Sequence, residues 1–171
     1  MKSISILLLA LCFTLPIFSQ DLPKNDDGII SYTAVVNVSG KSADQLLDNA
    51  KRWFEETYKS ARNRKVEGSK ISDNHNLKMK KGSKDAGAVN YDISVMCKDG
   101  RYKYEITNLV HKDYEKTVGT GGKLEREEPK DGFSGKLWAD FKMQSDAQVK
   151  ELIASLTKAM EYTAEQKNDD W

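Results

Sequence analysis

Two periodicities divide the chain. Along GIISYTAVVNVSG, residues 28–40, Ile30, Tyr32, Ala34, Val36 and Val38 fall on one side, and Ser31, Thr33, Val35 and Asn37 on the other. This is the two-residue period of a half-buried strand. The spacing then changes to three and four. In SADQLLDNAKRWFEETYKSA, Ala43, Leu46, Leu47, Ala50, Trp53, Phe54 and Tyr58 line one face of a helix, which opens on a Ser-x-x-Gln capping box at Ser42 and Gln45. The period of two returns in YDISVMCKDGRYKYEIT, residues 91–107, around an Asp99-Gly100 pair suited to a tight hairpin turn. That turn sets a register in which Lys98 opposes Arg101, Cys97 opposes Tyr102, Val95 opposes Tyr104 and Ile93 opposes Ile106. A slip of one residue would bury Lys103 and Glu105 and expose the aromatics, so the register is strongly specified.

Elsewhere the pattern is thinner. In RKVEGSKISDNHNLKMKKG, residues 64–82, Val66, Ile71, Leu77 and Met79 are sparse apolar markers. The run Asp73 to Asn76 has the composition of a turn, which predicts a weak hairpin. Residues 112–132, KDYEKTVGTGGKLEREEPKDG, are charged, glycine-rich and aperiodic, and predict a mobile loop, with an extended hairpin inside it as the alternative. FSGKLWADFKM predicts a further strand, with Phe133, Leu137, Ala139, Phe141 and Met143 on one face and Lys136, Trp138, Asp140 and Lys142 on the other. A second capping box, Ser145 with Gln148, predicts the start of a last helix carrying Val149, Leu152, Ile153, Leu156 and Met160.

The first residues change the picture of where such a domain works. Met1 and Lys2 precede an apolar run from Ile4 to Phe18, and the chain turns polar at DLPKNDDG. The run is too short for a membrane span, and predicts a signal peptide over 1–19, cleaved near Ser19-Gln20. The protein is then exported to the periplasm or the extracellular space. A lipoprotein anchor at Cys12 is disfavoured because Leu11 replaces the small residue expected before an acylated cysteine. The mature chain keeps Cys97 alone and forms no internal disulfide. Its place in an alternating strand makes Cys97 a small buried hydrophobe. After a polar lead-in over 20–27, residues 28–166 form one domain, followed by a tail over 167–171. About 150 residues suffice for one well-filled core.

Charge adds little direction. The sequence has 27 basic and 26 acidic side chains, and loss of Lys2 with the leader balances them, so no global field draws the chain to nucleic acid. Locally, between Arg62 and Lys84, eight basic residues face two acidic ones. Lys65, Lys70, Lys78 and Lys80 there form a candidate polyanion patch, but with no aromatic stacking partners interleaved they read first as outer-strand lysines that discourage edge-to-edge aggregation. A second candidate surface is the set Val35, Met96 and Trp138, apolar residues on the otherwise polar outer face.

Catalytic signatures are absent from the sequence. Histidine occurs only at 75 and 111, without metal-binding spacing. GTGGK, residues 119–123, lacks the Ser or Thr and the glycine spacing of a phosphate loop. No Gly-x-Ser-x-Gly elbow occurs, and Glu55-Glu56 and Glu127-Glu128 are neighbours that point apart. No cofactor is expected.

Two segments carry a resemblance. ISYTAVVNVSGKSADQLLDNAKRWFEETY and YDISVMCKDGRYKYEIT resemble the bacteroidete secreted family called domain of unknown function 4468, over Ile29 to Val110. KISDNHNLKMKKGSKDAGA departs from that family's shorter hairpin. The resemblance implies a TATA-binding-protein-like fold and an exported location, and carries no active site. The namesake's DNA-binding saddle does not follow from fold alone. The expected architecture is α+β: one curved antiparallel sheet of five or six strands with two helices on a single face, in the order strand, helix, four or five strands, helix. The function expected is a non-catalytic module that binds a protein or envelope component. The alternative is a carrier holding an apolar ligand in a helix-grip-like cavity between sheet and helices.

Overall fold

The computed structural model describes residues 22–59 and 63–163. The expected leader, its cleavage point and the tail lie outside the described residues. The element order is β1 (Ser31–Asn37), α1 (Ala43–Thr57), β2 (Lys65–Glu67), β3 (Lys70–Lys81), β4 (Lys84–Lys98), β5 (Arg101–Lys112), β6 (Gly122–Lys123) and α2 (Gly135–Met160). The strands form one antiparallel sheet in the order β1-β5-β4-β3-β2, with β6 paired to β5. The α+β architecture predicted from the sequence is the one observed.

The hairpin of β4 and β5 adopts the register set by its turn: Cys97 faces Tyr102, Val95 faces Tyr104 and Ile93 faces Ile106. Helix α1 begins where the capping box places it. The Gln45 amide donates to Ser42 Oγ at 3.2 Å, and the Ser42 amide donates to Gln45 Oε1 at 3.0 Å. Asp99, at the hairpin turn, accepts from the Ala43 amide at 2.8 Å and ties the sheet to the helix start. Leu46, Leu47, Ala50, Trp53 and Phe54 are buried on the face turned to the sheet.

Three elements differ from the sequence reading. The segment expected as a strand over 133–143 is the first part of α2, whose N-cap is Ser134, accepting from the Leu137 amide at 3.3 Å. Trp138, Phe141, Ser145, Val149, Leu156 and Met160 form its buried stripe. Ser145 is therefore interior to the helix and is no cap. Its hydroxyl donates to the Phe141 carbonyl at 2.8 Å, one turn back. The turn expected at Asp73–Asn76 is continuous strand. β3 pairs with β4 from Lys70 to Lys81, and the hairpin with β2 turns at Gly68-Ser69. Residues 112–132 fold back over the sheet: β6 pairs with the end of β5, and Leu124 is buried. Within that segment the Asp113 carboxylate accepts from the Val118 amide at 2.7 Å and the Gly119 amide at 3.0 Å.

Both helices lie on one side of the sheet. Trp53 Nε1 donates to Ser155 Oγ at 2.9 Å, Asn49 Nδ2 donates to the Met160 carbonyl at 3.1 Å, and Tyr32 OH donates to Asp146 at 2.9 Å. Between the layers Phe54, Ile71, Ile93, Val95, Tyr102 and Phe141 are at most 1% exposed and belong to one continuous cluster. That filling turns the opposite face of the sheet, free of helices, toward solvent.

His111 closes one end of this interior. It is buried, accepts at Nδ1 from the Gly121 amide at 3.0 Å and meets the Ala86 carbonyl through Nε2 at 2.8 Å, which defines a neutral ring protonated on Nε2. Burial holds its pKa below the ordinary histidine value, against the opposing pull of the Ala86 carbonyl and Asp113. His75 is shifted the same way, chiefly by burial. The unfolded chain therefore takes up protons near pH ~6.5 that the folded chain resists. Stability should be complete above that pH and fall as the pH drops below it toward the folded-state values. Thermal melts at pH 7.5 and 5.5 should show a lower Tm at the acid pH; a higher one there would contradict the neutral buried rings.

Candidate functional site

Strand pairing arranges the outer face in rows across the sheet. Val35, Lys103, Met96 and Lys70 stand side by side on β1, β5, β4 and β3. The next row holds Thr33, Glu105, Ser94 and Ser72, and the one after it Ser31, Thr107, Asp92 and Asn74. Beyond it Asn76 and Asn90 face each other across β3 and β4. Apart from Asp92 and Glu105, the middle of this face consists of hydroxyl and carboxamide side chains.

A bulge shapes the far end. Between Asn90 and Asp92 the β4–β5 register shifts by one residue, and Asn108 sits at the bulge with φ 58°. Asn is one of the few residues that tolerate this left-handed conformation, and such a bulge re-aims a side chain. The Asn108 amide donates to Asp92 Oδ2 at 3.1 Å. Nearby, Asn90 donates to Tyr114 OH at 3.0 Å, and Asn63 donates to Asn74 Oδ1 at 2.9 Å. Together these groups bound an open groove of about 540 Å³. A second groove of about 330 Å³ adjoins it, sharing Asn63, Asn74 and Asp92, and extends toward Lys65, Lys70 and Glu105.

Behind the groove a polar cluster holds the sheet in place. Asp73, buried on the inner side, sits 3.3 Å from Arg64 Nε and 3.0 Å from His75 Nε2. The approach of His75 is close but poorly directed, and its Nε2 makes no hydrogen bond. The ring is fixed instead by stacking on Tyr58 at 3.6 Å, and Tyr58 OH in turn lies 3.0 Å from Tyr91 OH. Burial raises the Tyr91 pKa to about 12, so the phenol stays protonated. These contacts tie Arg64, Asp73, His75, Tyr58 and Tyr91 together behind the groove as a buttress.

The residues singled out from the sequence are only partly brought together. Trp138 does not belong to the outer face: it lies in α2 at 1% exposure, with Nε1 donating to the Arg126 carbonyl at 3.0 Å. Its assignment to a surface patch is corrected by the helix that replaces the expected strand. Val35 (59% exposed) and Met96 (41%) do share the outer face and line a small hollow of about 210 Å³ with Lys98, Arg101 and Lys103. The four lysines are divided. Lys65 and Lys70 border the smaller groove, whereas Lys78 and Lys80 lie toward the other end of β3, ~26 Å and ~33 Å from Lys70 at the rise of an extended strand. Lys80 is paired with Asp85. His75 and His111 stand apart, one on Tyr58 and the other against Phe141. Among the described residues no cluster of His, Cys, Asp and Glu could hold a metal ion.

The asparagines went unassigned in the sequence because they are scattered over three strands and a loop. The available signal was Asn74 and Asn76 alternating across His75, which reads as a strand face once the turn composition is set aside.

The comparisons with known proteins fit this geometry. Residues 32–112 match the family described as a domain of unknown function (DUF4468) with TBP-like fold. The resemblance drawn from the sequence thus holds over that stretch. A TBP-like protein from Parabacteroides distasonis superposes with a TM-score of 0.65 at 15% identity, covering 82% of this chain and 97% of its own. A DUF4468 family protein from Bacteroides ovatus gives 0.63 at 18% identity, covering 83% and 91%. At these identities the likeness shows the fold alone. No curated protein matches the sequence.

Proposed function

We propose that this protein is an exported, non-catalytic binding module that engages an envelope component or protein partner through the helix-free face of its sheet. The observation that carries the reading is the division of the molecule. One face of the sheet is filled by two helices, and the other presents rows of short polar side chains around two open grooves. The apolar run before residue 20 supports export. Among the described residues no helix is long and apolar enough to cross a membrane. The carrier alternative finds less support, because Trp53, Phe54, Tyr91, Tyr102 and Phe141 occupy the space that an apolar ligand would need.

Photocrosslinking tests the reading. A cysteine-directed crosslinker is placed at Lys103→Cys on the outer face, or at Glu55→Cys on the exposed side of α1. Burial pushes the Cys97 thiol up to about 11, so it stays unlabelled. In envelope fractions the Lys103→Cys protein should form a discrete adduct and the Glu55→Cys protein should not. An adduct from Glu55→Cys alone, or from neither, would refute the assignment.

A further inference from the structure

We propose that the asparagine-lined groove binds a neutral, polyhydroxylated ligand, a segment of glycan. This rests on the reading of the outer sheet face as the binding surface and specifies its ligand chemistry. Sugar hydroxyls both donate and accept, and so do carboxamides, which carry two N–H donors and a carbonyl on one short side chain. Asn74, Asn76, Asn90 and Asn108 provide such groups within one groove. Its formal charges, Asp92 and Lys112, are opposite in sign and leave no fixed field to select an ion. At about 540 Å³ the groove falls in the ~300–1,000 Å³ range of small-ligand sites.

Three features show a built surface. First, the bulge carries a left-handed backbone conformation, φ 58°, that few residues other than glycine tolerate. Here it belongs to Asn108, which the bulge directs toward Asp92. Second, the hydrogen bonds of Asn90 to Tyr114 and of Asn63 to Asn74 orient amides before any ligand arrives, which lowers the entropy lost on binding. Third, Tyr114 is 68% exposed at the rim, anchored through its hydroxyl. Its ring offers an apolar platform to the C–H face of a pyranose, while its polar tip stays satisfied.

Other ligand classes fit less well. An apolar ligand would leave the carboxamides unpaired. A polyanion would meet Lys112 here and Lys65 and Lys70 in the adjoining groove, but with Asp92 and Glu105 interleaved among them, and a nucleic acid strand would lack successive stacking rings.

The test is titration of the nitrogen-15-labelled protein with maltotriose, cellotriose and chitotriose, followed through the asparagine side-chain amide resonances. At least one trisaccharide should shift the amides of Asn74, Asn76, Asn90 and Asn108 saturably, leaving those of Asn49 in the interior unchanged. Tyr114→Ala and Asn76→Ala alter exposed positions and should keep the folded spectrum. Each should weaken that binding at least about tenfold, the scale of one or two lost contacts. The proposal is overturned if none of the three sugars moves these amides. It is equally overturned if the variants bind undiminished, or if inorganic polyphosphate shifts the groove and the sugars do not. Should the sugars fail while Lys103→Cys still crosslinks, the ligand class falls and the binding face stands. Saturable shifts confined to the helices would remove both.

Discussion

Trp138→Ala is expected to lower stability by ~3–5 kcal/mol, the cost of truncating a large aromatic in a filled core. In a domain of this size that is a fall in Tm of roughly 10 °C. The indole is 1% exposed, stands against Phe133 and His111, and spends its N–H on the Arg126 carbonyl. It also packs against the 112–132 segment at Gly121 and Arg126. Gly121 lies so close that a Cβ there would come within van der Waals overlap of the ring. Trp138→Phe keeps much of the packing and loses the hydrogen bond, so it should fall between wild type and alanine. Thermal or urea denaturation checks the series; an unchanged midpoint for Trp138→Ala would return the ring to the surface.

Gly87→Ala should be of similar size. Gly87 has φ +87°, and a Cβ there would overlap the Lys112 carbonyl and press on His111 Nε2. About 1–3 kcal/mol comes from the backbone conformation and a comparable amount from overpacking, because neither the backbone oxygen nor the clamped imidazole can withdraw. The damage should centre on the end of β5 and the segment held by His111. Hydrogen exchange would therefore show lost protection at Gly121 and Leu124 before the β4–β5 turn is affected. Uniform exchange with no loss of stability would contradict the close approach.

The parts of the fold that could be read from the sequence are those where a single local signal had no competitor. The Asp99-Gly100 turn set the pairing of β4 with β5, and a slip of one residue would bury Lys103 and Glu105. Ser42 and Gln45 marked the start of α1 because an apolar stripe followed at once. α2 was obscured by coincidence. Leu137, Ala139, Phe141 and Met143 satisfy a period of two, while Trp138, Phe141 and Ser145 satisfy a helix, and eleven residues do not separate the two. Its true cap, Ser134, has no Gln or Glu partner at the third position, whereas Ser145 and Gln148 form a sequence match without a structural one. β3 was hidden by chemistry in the core. Asp73 points inward, where apolar residues are expected, and is tolerated because Arg64 arrives from the preceding loop to neutralise it.

The outer-face groove was illegible for a different reason. It depends on register between strands distant in sequence, and on a bulge at Asn108 that no residue pattern announces. Val35 and Met96 could be assigned to the outer face because the hairpin and β1 alternate cleanly. Trp138 followed the misread strand, and the lysines of β3 looked like one patch because distance along an extended strand is not visible in a composition window.

Hydroxyl-radical footprinting of the protein in intact cells, compared with the purified protein, tests the central claim directly: that the helix-free face is the one in use. Met96 and Tyr114 report on that face, and Met143 and Tyr162 on the helical side; all four are exposed in the isolated molecule. The account predicts that Met96 and Tyr114 are protected in cells and that Met143 and Tyr162 react as they do in solution. Protection of Met143 and Tyr162 with full reactivity at Met96 and Tyr114 would contradict it.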